Sequence, residues 1–181
     1  MSTRDVLIYG NPVLRTKALE ITEIDDTVRH LVEDMFATMK ANNGVGLAAN
    51  QIGVLHRVIV VDVPIDDTRR TLALVNPKID RRSGSEKSEE GCLSIPGIFA
   101  DVKRSHAIRV RALDESGQPF EVEAEGYLAR AIQHEVDHLD GVLFVDRLSP
   151  LKRQFLRRSL DALARGELPE DYRPPAFGGS R

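Results

Sequence analysis

The order of helical and strand-like segments in this sequence of 181 residues predicts an α+β fold. One helical pattern precedes the strands, and two helical patterns follow them. The strand-like segments include an antiparallel hairpin signal and do not alternate with helices. Since regular alternation would have favoured a parallel α/β sheet, we expect antiparallel sheets packed against helices.

The first predicted element is an amphipathic helix from Asp25 to Asn43. Apolar side chains recur along it at helical spacing, and the sequence Asn42-Asn43-Gly44 is a typical stop signal. We expect the apolar stripe to face the core. Its members are Val28, Leu31, Val32, Met35, Phe36 and Met39.

Two segments rich in β-branched residues predict strands at residues 57–63 and 71–75. Pro64 and the pair Asn76-Pro77 are expected to close them, because proline cannot donate a hydrogen bond to a sheet. Residues 81–90 are polar, which predicts either a solvated loop or an exposed edge.

A hairpin is predicted from the alternating polarity of residues 106–113 and 119–124, which flank the turn sequence Glu115-Ser116-Gly117-Gln118. Residues 127–140 then return to helical periodicity. Gly141 suits the position just after a helix C-terminus.

The last helix is predicted to begin with Ser149 as N-cap and Pro150 in its first turn, and to end at Gly166. Residues 167–181 contain three prolines and two glycines, a composition typical of a flexible tail. We therefore predict a single domain over residues 1–166 and a flexible C-terminal tail over residues 167–181.

Composition excludes several classes of protein. With one cysteine, Cys92, no intrachain disulfide can form, which excludes a disulfide-framed secreted module. The formal net charge of −3 predicts no general attraction to DNA or to anionic membranes. No signal-peptide pattern is present, and no segment approaches the roughly 18 apolar residues of a membrane span. We expect a cytoplasmic protein.

The sequence His134-Glu135-Val136-Asp137-His138 is an HExxH motif within a predicted helix. Side chains four residues apart lie one above the other on a helix, so His134 and His138 can reach one metal ion. Glu135 projects about 100° from His134 around the helix, close enough to touch a metal-bound water. The alternative is a solvated helix face that carries two surface histidines.

The third ligand decides the class of metal site. A metzincin is excluded, because Phe144 stands where that class has its third histidine. A thermolysin-like carboxylate could come from Asp161 or Glu167, although Glu167 lies in the predicted tail. Cys92, which follows Gly91, fits best and gives a Cys-His-His site with an open fourth position. A lone cysteine can equally be a small buried hydrophobic residue.

Three segments together resemble the motifs of the peptide deformylase family, in family order. They are residues 44–51 (GVGLAANQ), 90–94 (EGCLS) and 133–141 (QHEVDHLDG). The likeness includes residues 11–15 and 148–151 and spans roughly residues 5 to 165. It implies the α+β deformylase fold, in which antiparallel sheets pack around a central HExxH helix.

The resemblance implies a catalytic domain that removes the N-formyl group from the N-terminal formylmethionine of new proteins and releases formate. Cys92, His134 and His138 are implied to hold one divalent metal ion, with Glu135 as the catalytic acid and base. Iron(II) is the implied ion, and zinc, nickel and cobalt are possible; ligand softness by itself favours zinc. The remaining implied catalytic groups are Gln51 and the backbone N–H of Leu93, which stabilise the oxyanion.

The substrate pocket is predicted from the same motifs. Gly44 and Gly46 suit a loop that the substrate peptide approaches closely, and Val45 and Gly91 belong to the same candidate binding set. Tyr127 and Ala131 share or flank the helix face of His134.

The sequence departs from the family pattern in two places. The first is Arg130, which can point to a carboxylate or shape a more polar pocket rim. The second is the segment 97–99, where many relatives carry a basic residue. Glu90, Gln133 and Asp137 are expected to orient the ligands or to tie the motifs together.

Two rival functions use the same residues. A metallopeptidase would cleave internal amide bonds, and a structural zinc module would close the site with a fourth ligand such as His106. The predicted partner is a formylated nascent peptide. The segment 151–165 has five basic residues against one acid, a local net charge of +4. It is either a solvated basic face or, as the family resemblance implies, a salt-sensitive contact with the ribosome.

Overall fold

The computed structural model describes residues 2–170. Within them lie three α-helices, α1 (Asp26–Ala41), α2 (Gly126–Leu139) and α3 (Pro150–Ala164). The strands are β1 (Gly46–Ala48), β2 (Val58–Ile65), β3 (Thr68–Ser83), β4 (Glu86–Cys92), β5 (Ile95–Arg104), β6 (Ala107–Leu113) and β7 (Pro119–Glu125). Short 3₁₀ turns occur at Pro12–Arg15, Ala49–Ile52 and Phe144–Arg147.

The strands form two antiparallel sheets. One has five strands in the order β1-β2-β3-β6-β7, and the other is the β4-β5 hairpin. With helices before and after the strands, the architecture is the predicted α+β class. The expectation of antiparallel sheets is confirmed.

Both faces of the five-stranded sheet are covered by a helix. Along β2, Ile59 and Val61 join a buried cluster with Ile132 and Leu139 of α2. The alternate residues of β2, Val58 and Val60, join a second cluster with Met35 and Met39 of α1. Because successive side chains of a strand point to opposite faces, one apolar strand supplies both cores. A third cluster packs β5 against the 3₁₀ turn Phe144–Arg147 and α3.

The helix signals in the sequence have their expected structural counterparts. The Asp25 side chain accepts hydrogen bonds from Thr27 N and Val28 N at the start of α1, and Ser149 caps α3 by accepting from Lys152 N. Gly141 follows α2 with φ = 72°, a left-handed conformation that favours glycine. None of the helices in the described part of the chain is long and apolar enough to cross a membrane.

The prediction that β3 ends at Asn76-Pro77 is wrong. The strand continues to Ser83, because a register shift between Val75 and Lys78 absorbs the proline. Asn76 adopts φ = 51° there, and its side-chain amide accepts from Ile21 N and donates to Ile21 O.

The loop interpretation of residues 81–90 is also wrong, since the end of β3 and most of β4 occupy this segment. Its alternative, an exposed edge, is correct, because β4 belongs to a two-stranded sheet and has one unpaired side. No pattern in the sequence predicted β5. The predicted tail lies mostly outside the described residues, so the boundary at residue 166 stays a prediction.

Candidate active site

Helix α2 presents the two histidines from consecutive turns. The Nε2 atoms of His134 and His138 are 3.3 Å apart, and both residues are buried. Residues 128–139 of this helix are all buried, because the five-stranded sheet packs on one side and the β4-β5 hairpin on another. The surface-histidine alternative is therefore wrong.

Cys92 approaches the histidines from the end of β4. Its Sγ atom lies 3.3 Å from His138 Nε2, and the three potential ligand atoms all lie within 4.8 Å of one another. Two imidazole nitrogens and a thiol that converge in this way suit a divalent transition metal. The residues present therefore fit the metal ion that the resemblance implies.

The other candidate ligands lie elsewhere. His106 is exposed, and its Nδ1 atom is 2.9 Å from Glu86 Oε2. Asp161 and Glu167 pair with arginines of their own segment, Arg157 and Arg165. Among residues 2–170, the group that could hold an ion at this place is limited to Cys92 and the two histidines. The structure supports neither the thermolysin-like alternative nor the zinc module closed by His106.

Glu90 holds His134 in place. Its Oε2 atom is 3.0 Å from His134 Nδ1, which leaves the Nε2 atom of the ring directed at the ligand group. Arg104 donates to both carboxylate oxygens, and Arg130 donates to Oε1 at 2.7 Å. Burial would raise the pKa of Glu90, but the hydrogen bonds from His134 and Arg104 outweigh it and lower this pKa to about 2.

The same network continues to Asp137. Arg104 Nη1 donates to Asp137 Oδ2 at 2.8 Å, and Arg147 donates to both oxygens of this carboxylate. Within the described residues, Gln133 forms no hydrogen bond to a candidate metal ligand. Its amide accepts from Ser105 N and donates to Ser105 O, and so ties α2 to the end of β5.

Glu135 is as buried as Glu90 but has few partners. Among the described residues, its Oε2 atom has no hydrogen-bond partner. A Cβ atom on Gly46 would lie 2.9 Å from the Cγ and Cδ atoms of Glu135, so only glycine lets β1 pass this close. Burial raises the pKa of Glu135 to about 7, against the opposing charges of His134 and Arg104.

Gln51 lies in the 3₁₀ turn after β1, beside the thiol. Its Oε1 atom accepts from Ala48 N at 2.8 Å, which fixes the orientation of the amide. The Nε2 group is 3.1 Å from Ser94 Oγ and 3.6 Å from Cys92 Sγ. Leu93 and Ser94 form the two-residue turn that joins β4 to β5.

A cavity of about 480 Å³ opens over these groups. It is lined by the three catalytic candidates, by two of the metal-ligand candidates and by every residue of the predicted substrate-binding set. These are Gln51, Leu93, Glu135, Cys92, His134, Val45, Gly46, Gly91, Tyr127 and Ala131. His138 lies deeper and is 1% exposed.

Arg130 and residues 97–99 behave differently from each other. The Arg130 guanidinium bonds Glu90, Val102 O and Glu86 O, so it points to a carboxylate, the first of the two alternatives. Gly97 and Phe99 line the cavity, and the Phe99 ring covers Gly91 so closely that a Cβ atom there would be 2.6 Å from it.

The residue that sequence reasoning missed is Arg104. It stands at the end of β5, in a polar segment that looks like surface, yet its side chain is 2% exposed and joins Glu90 to Asp137. A local sequence pattern carries no signal for it, because the two carboxylates lie 14 and 33 residues away.

A Cys-His-His donor set beside a buried carboxylic acid is the arrangement of a metal-dependent hydrolase. Comparison with known proteins gives the family. Residues 3–154 match the family model described as polypeptide deformylase. The peptide deformylase of Alkalilimnicola ehrlichii is 50% identical over 165 residues, which cover 91% of this chain and 93% of that protein. That of Pseudoalteromonas translucida is 46% identical over 91% of this chain and 98% of its own.

Solved structures of peptide deformylases are similar to this chain over nearly its whole length. A peptide deformylase from Legionella pneumophila superposes with a TM-score of 0.83 at 44% identity, covering 92% of this chain and 98% of that one. One from Ehrlichia chaffeensis, in complex with actinonin, gives 0.85 at 39% identity and covers 92% and 99%. The chain belongs to the polypeptide deformylase family. It is an enzyme that removes the N-formyl group from newly synthesised polypeptides.

Proposed function

We propose that Cys92, His134 and His138 hold a single divalent ion in this enzyme. The observation that carries the proposal is the convergence of their three ligand atoms within 4.8 Å, beside Glu135, whose Oε2 atom has no hydrogen-bond partner among residues 2–170. When bound, the ion supplies an activated water at neutral pH. Glu90 supports the site by orienting the His134 ring through Nδ1.

Glu135 is the group that moves the proton. A carboxylate with a free oxygen and a pKa of about 7 can accept a proton from the attacking water and deliver it to the leaving amine. Gln51 Nε2 and the backbone N–H of Leu93 are the donors to the formyl oxygen, where negative charge develops. The bond from Ala48 N to Gln51 Oε1 supports this assignment, because it commits the NH₂ end of the amide to the site.

The formylmethionine occupies the cavity above these groups. Val45, Gly46 and Gly91 offer backbone to the peptide, while Tyr127 and Ala131 form the wall supplied by α2. Phe99 extends the wall on the side of Gly91, at a position where the resemblance led us to expect a basic residue nearby.

The assignment of ligands is tested by metal content and formate release together. We expect His138→Ala to lose the ion and the release of formate from a formyl-Met peptide. His106→Ala is the matched control and should keep both, since this ring lies on Glu86. Retention of metal by His138→Ala would contradict the ligand set, and hydrolysis of internal amide bonds in unformylated peptides would favour the metallopeptidase alternative.

We propose iron(II) as the physiological ion, on the basis of the family resemblance. Because both iron(II) and the Cys92 thiolate can be oxidised, the thiolate irreversibly, the iron form should lose activity in air. The apoprotein reconstituted with iron(II) under anaerobic conditions should exceed the zinc form in turnover and decay in air, while the nickel form persists. Equal or higher turnover with zinc, together with air-stable iron activity, would return the assignment to zinc.

We also propose that the enzyme works in the cytoplasm and contacts the ribosome through α3. Lys152, Arg157 and Arg158 are exposed on this helix, and Arg157 has only a 3.7 Å pairing with Asp161. Reversal of Arg157 and Arg158 to Glu should weaken salt-sensitive cosedimentation with ribosomes and leave hydrolysis of a short peptide unchanged. Reversal of Arg70 and Arg81, exposed on β3, makes the same change in charge and should not weaken it.

A further inference from the structure

A second cavity, of about 550 Å³, lies between the β3-β4 turn, the end of β5 and α2. It shares no lining residue with the active-site cavity. Four cationic side chains line it, and no acidic side chain does. The cations are Arg82, Lys103, Arg104 and Arg147.

The four cations differ in how their charge is balanced. Arg104 and Arg147 are held by Glu90 and Asp137. Arg82 Nη1 donates to Gln133 Oε1 at 3.0 Å, which is a neutral acceptor. Within residues 2–170, the structure pairs neither Arg82 nor Lys103 with a carboxylate oxygen inside 4.0 Å. Two positive charges in the cavity are therefore unbalanced, in the sense that no carboxylate among residues 2–170 forms an ion pair with them.

The pKa of Arg82 is lowered from its usual value. Burial lowers the pKa of Arg82, and the neighbouring charges of Arg147 and Arg104 lower it further, against the opposing charge of Asp137. The main cost is therefore the burial of the guanidinium charge, and an anion beside Arg82 would relieve that cost.

We propose that this cavity binds a phosphate group, as free phosphate or as the phosphate of a small phosphomonoester. A phosphate carries close to two negative charges at neutral pH, which matches the two unbalanced cations. Guanidinium groups bind its oxygens with bidentate geometry, and Lys103 adds a point charge. Ser105, at the end of β5, offers a hydroxyl at the same wall.

The test uses the metal-loaded enzyme and measures binding of inorganic phosphate and of glycerol phosphate by calorimetry. The variant Arg82→Gln/Lys103→Gln removes the two unbalanced charges. Arg81→Gln/Lys78→Gln is the matched control, because both residues are exposed on β3, outside the cavity, and have the same charge. Arg104 is not substituted, since it also holds Glu90.

We expect the first variant to weaken phosphate binding roughly tenfold or more, because charge-assisted hydrogen bonds are lost, while the control pair keeps the wild-type affinity. Thermal unfolding shows whether each protein is folded, and Lys103→Gln alone replaces the double variant if that one does not fold. Binding of glycerol phosphate but not of inorganic phosphate would identify a phosphomonoester, and binding of both would leave the phosphate group as the recognised feature.

Three results would overturn the proposal. Equal weakening by both pairs would show a general effect of net charge. Unchanged binding in Arg82→Gln/Lys103→Gln would place the phosphate elsewhere, for example at the metal centre. Dependence on Arg82 and Lys103 that is seen with a 12-nucleotide oligouridylate and not with phosphate would show that the surface serves an RNA strand.

Discussion

Glu90 and Glu135 are two buried carboxylates beside the metal-ligand candidates, and they differ in their partners. The two residues are 6% and 5% exposed. Glu90 accepts hydrogen bonds from Arg104 and Arg130 and lies 3.0 Å from His134 Nδ1, whereas Glu135 keeps an unpartnered oxygen among the described residues. The pKa of Glu90 falls to about 2, and that of Glu135 rises to about 7.

The two side chains are almost equally exposed, and the clearest difference between them is in their hydrogen-bond partners. Desolvation raises the pKa of both groups, and only Glu90 has enough donors to overcome it. A carboxylate that stays charged and fully bonded can hold a ligand ring in one orientation. A carboxylate with a free oxygen and a pKa near neutrality can exchange a proton with substrate. Under the proposed assignment, these two glutamates of nearly equal exposure have opposite tasks.

The largest effect is expected from Glu135→Gln. The amide keeps the shape of the side chain but cannot take a proton, so formate release should fall by about 10²–10⁴-fold. Metal content should stay at the wild-type level, because Glu135 is not among the ligand candidates. Loss of the ion, or activity close to wild type, would show that Glu135 has a structural role and does not transfer the proton.

A smaller loss of formate release is expected from Gln51→Leu. Removal of one donor to the developing oxyanion should lower kcat by about 10²–10³-fold with the ion retained. Ser94→Ala is the matched control, since it removes the hydroxyl 3.1 Å from Gln51 Nε2 and leaves the donor in place. An increase in KM with kcat unchanged would show that Gln51 binds only the ground state.

Local signals in the sequence predicted the helices and the candidate ligands, and the motifs marked Glu90 and Asp137, but nothing local predicted that Arg104 joins these two carboxylates. Caps and periodicity are local, so Asp25 and Ser149 marked the starts of α1 and α3. The HExxH spacing likewise placed both histidines on one face of α2. The continuation of β3 past Pro77 depends on a bulge and on the contact between Asn76 and Ile21, and Arg104 is buried only because β5 packs on α2. Such long-range pairings carry no local pattern.

The smallest effect on turnover, and the largest on stability, is expected from Glu90→Gln. The neutral amide keeps the shape of the side chain but leaves Arg104 and Arg130 buried with less opposing charge, so the free energy of unfolding should fall by about 3–5 kcal/mol. The His134 ring also loses its anionic partner at Nδ1, so metal affinity should fall by about 10–100-fold. Glu89→Gln, exposed on the neighbouring position of β4, is the matched control and should change neither quantity. Chelator competition measures the metal affinity, and calorimetric unfolding measures the stability.

With saturating metal, the turnover of Glu90→Gln should return close to the wild-type value, because Glu90 is proposed to hold a ligand and not to exchange protons with substrate. A variant that keeps wild-type stability and metal affinity but loses turnover would place Glu90 in the reaction itself, and the division of tasks between the two glutamates would be wrong.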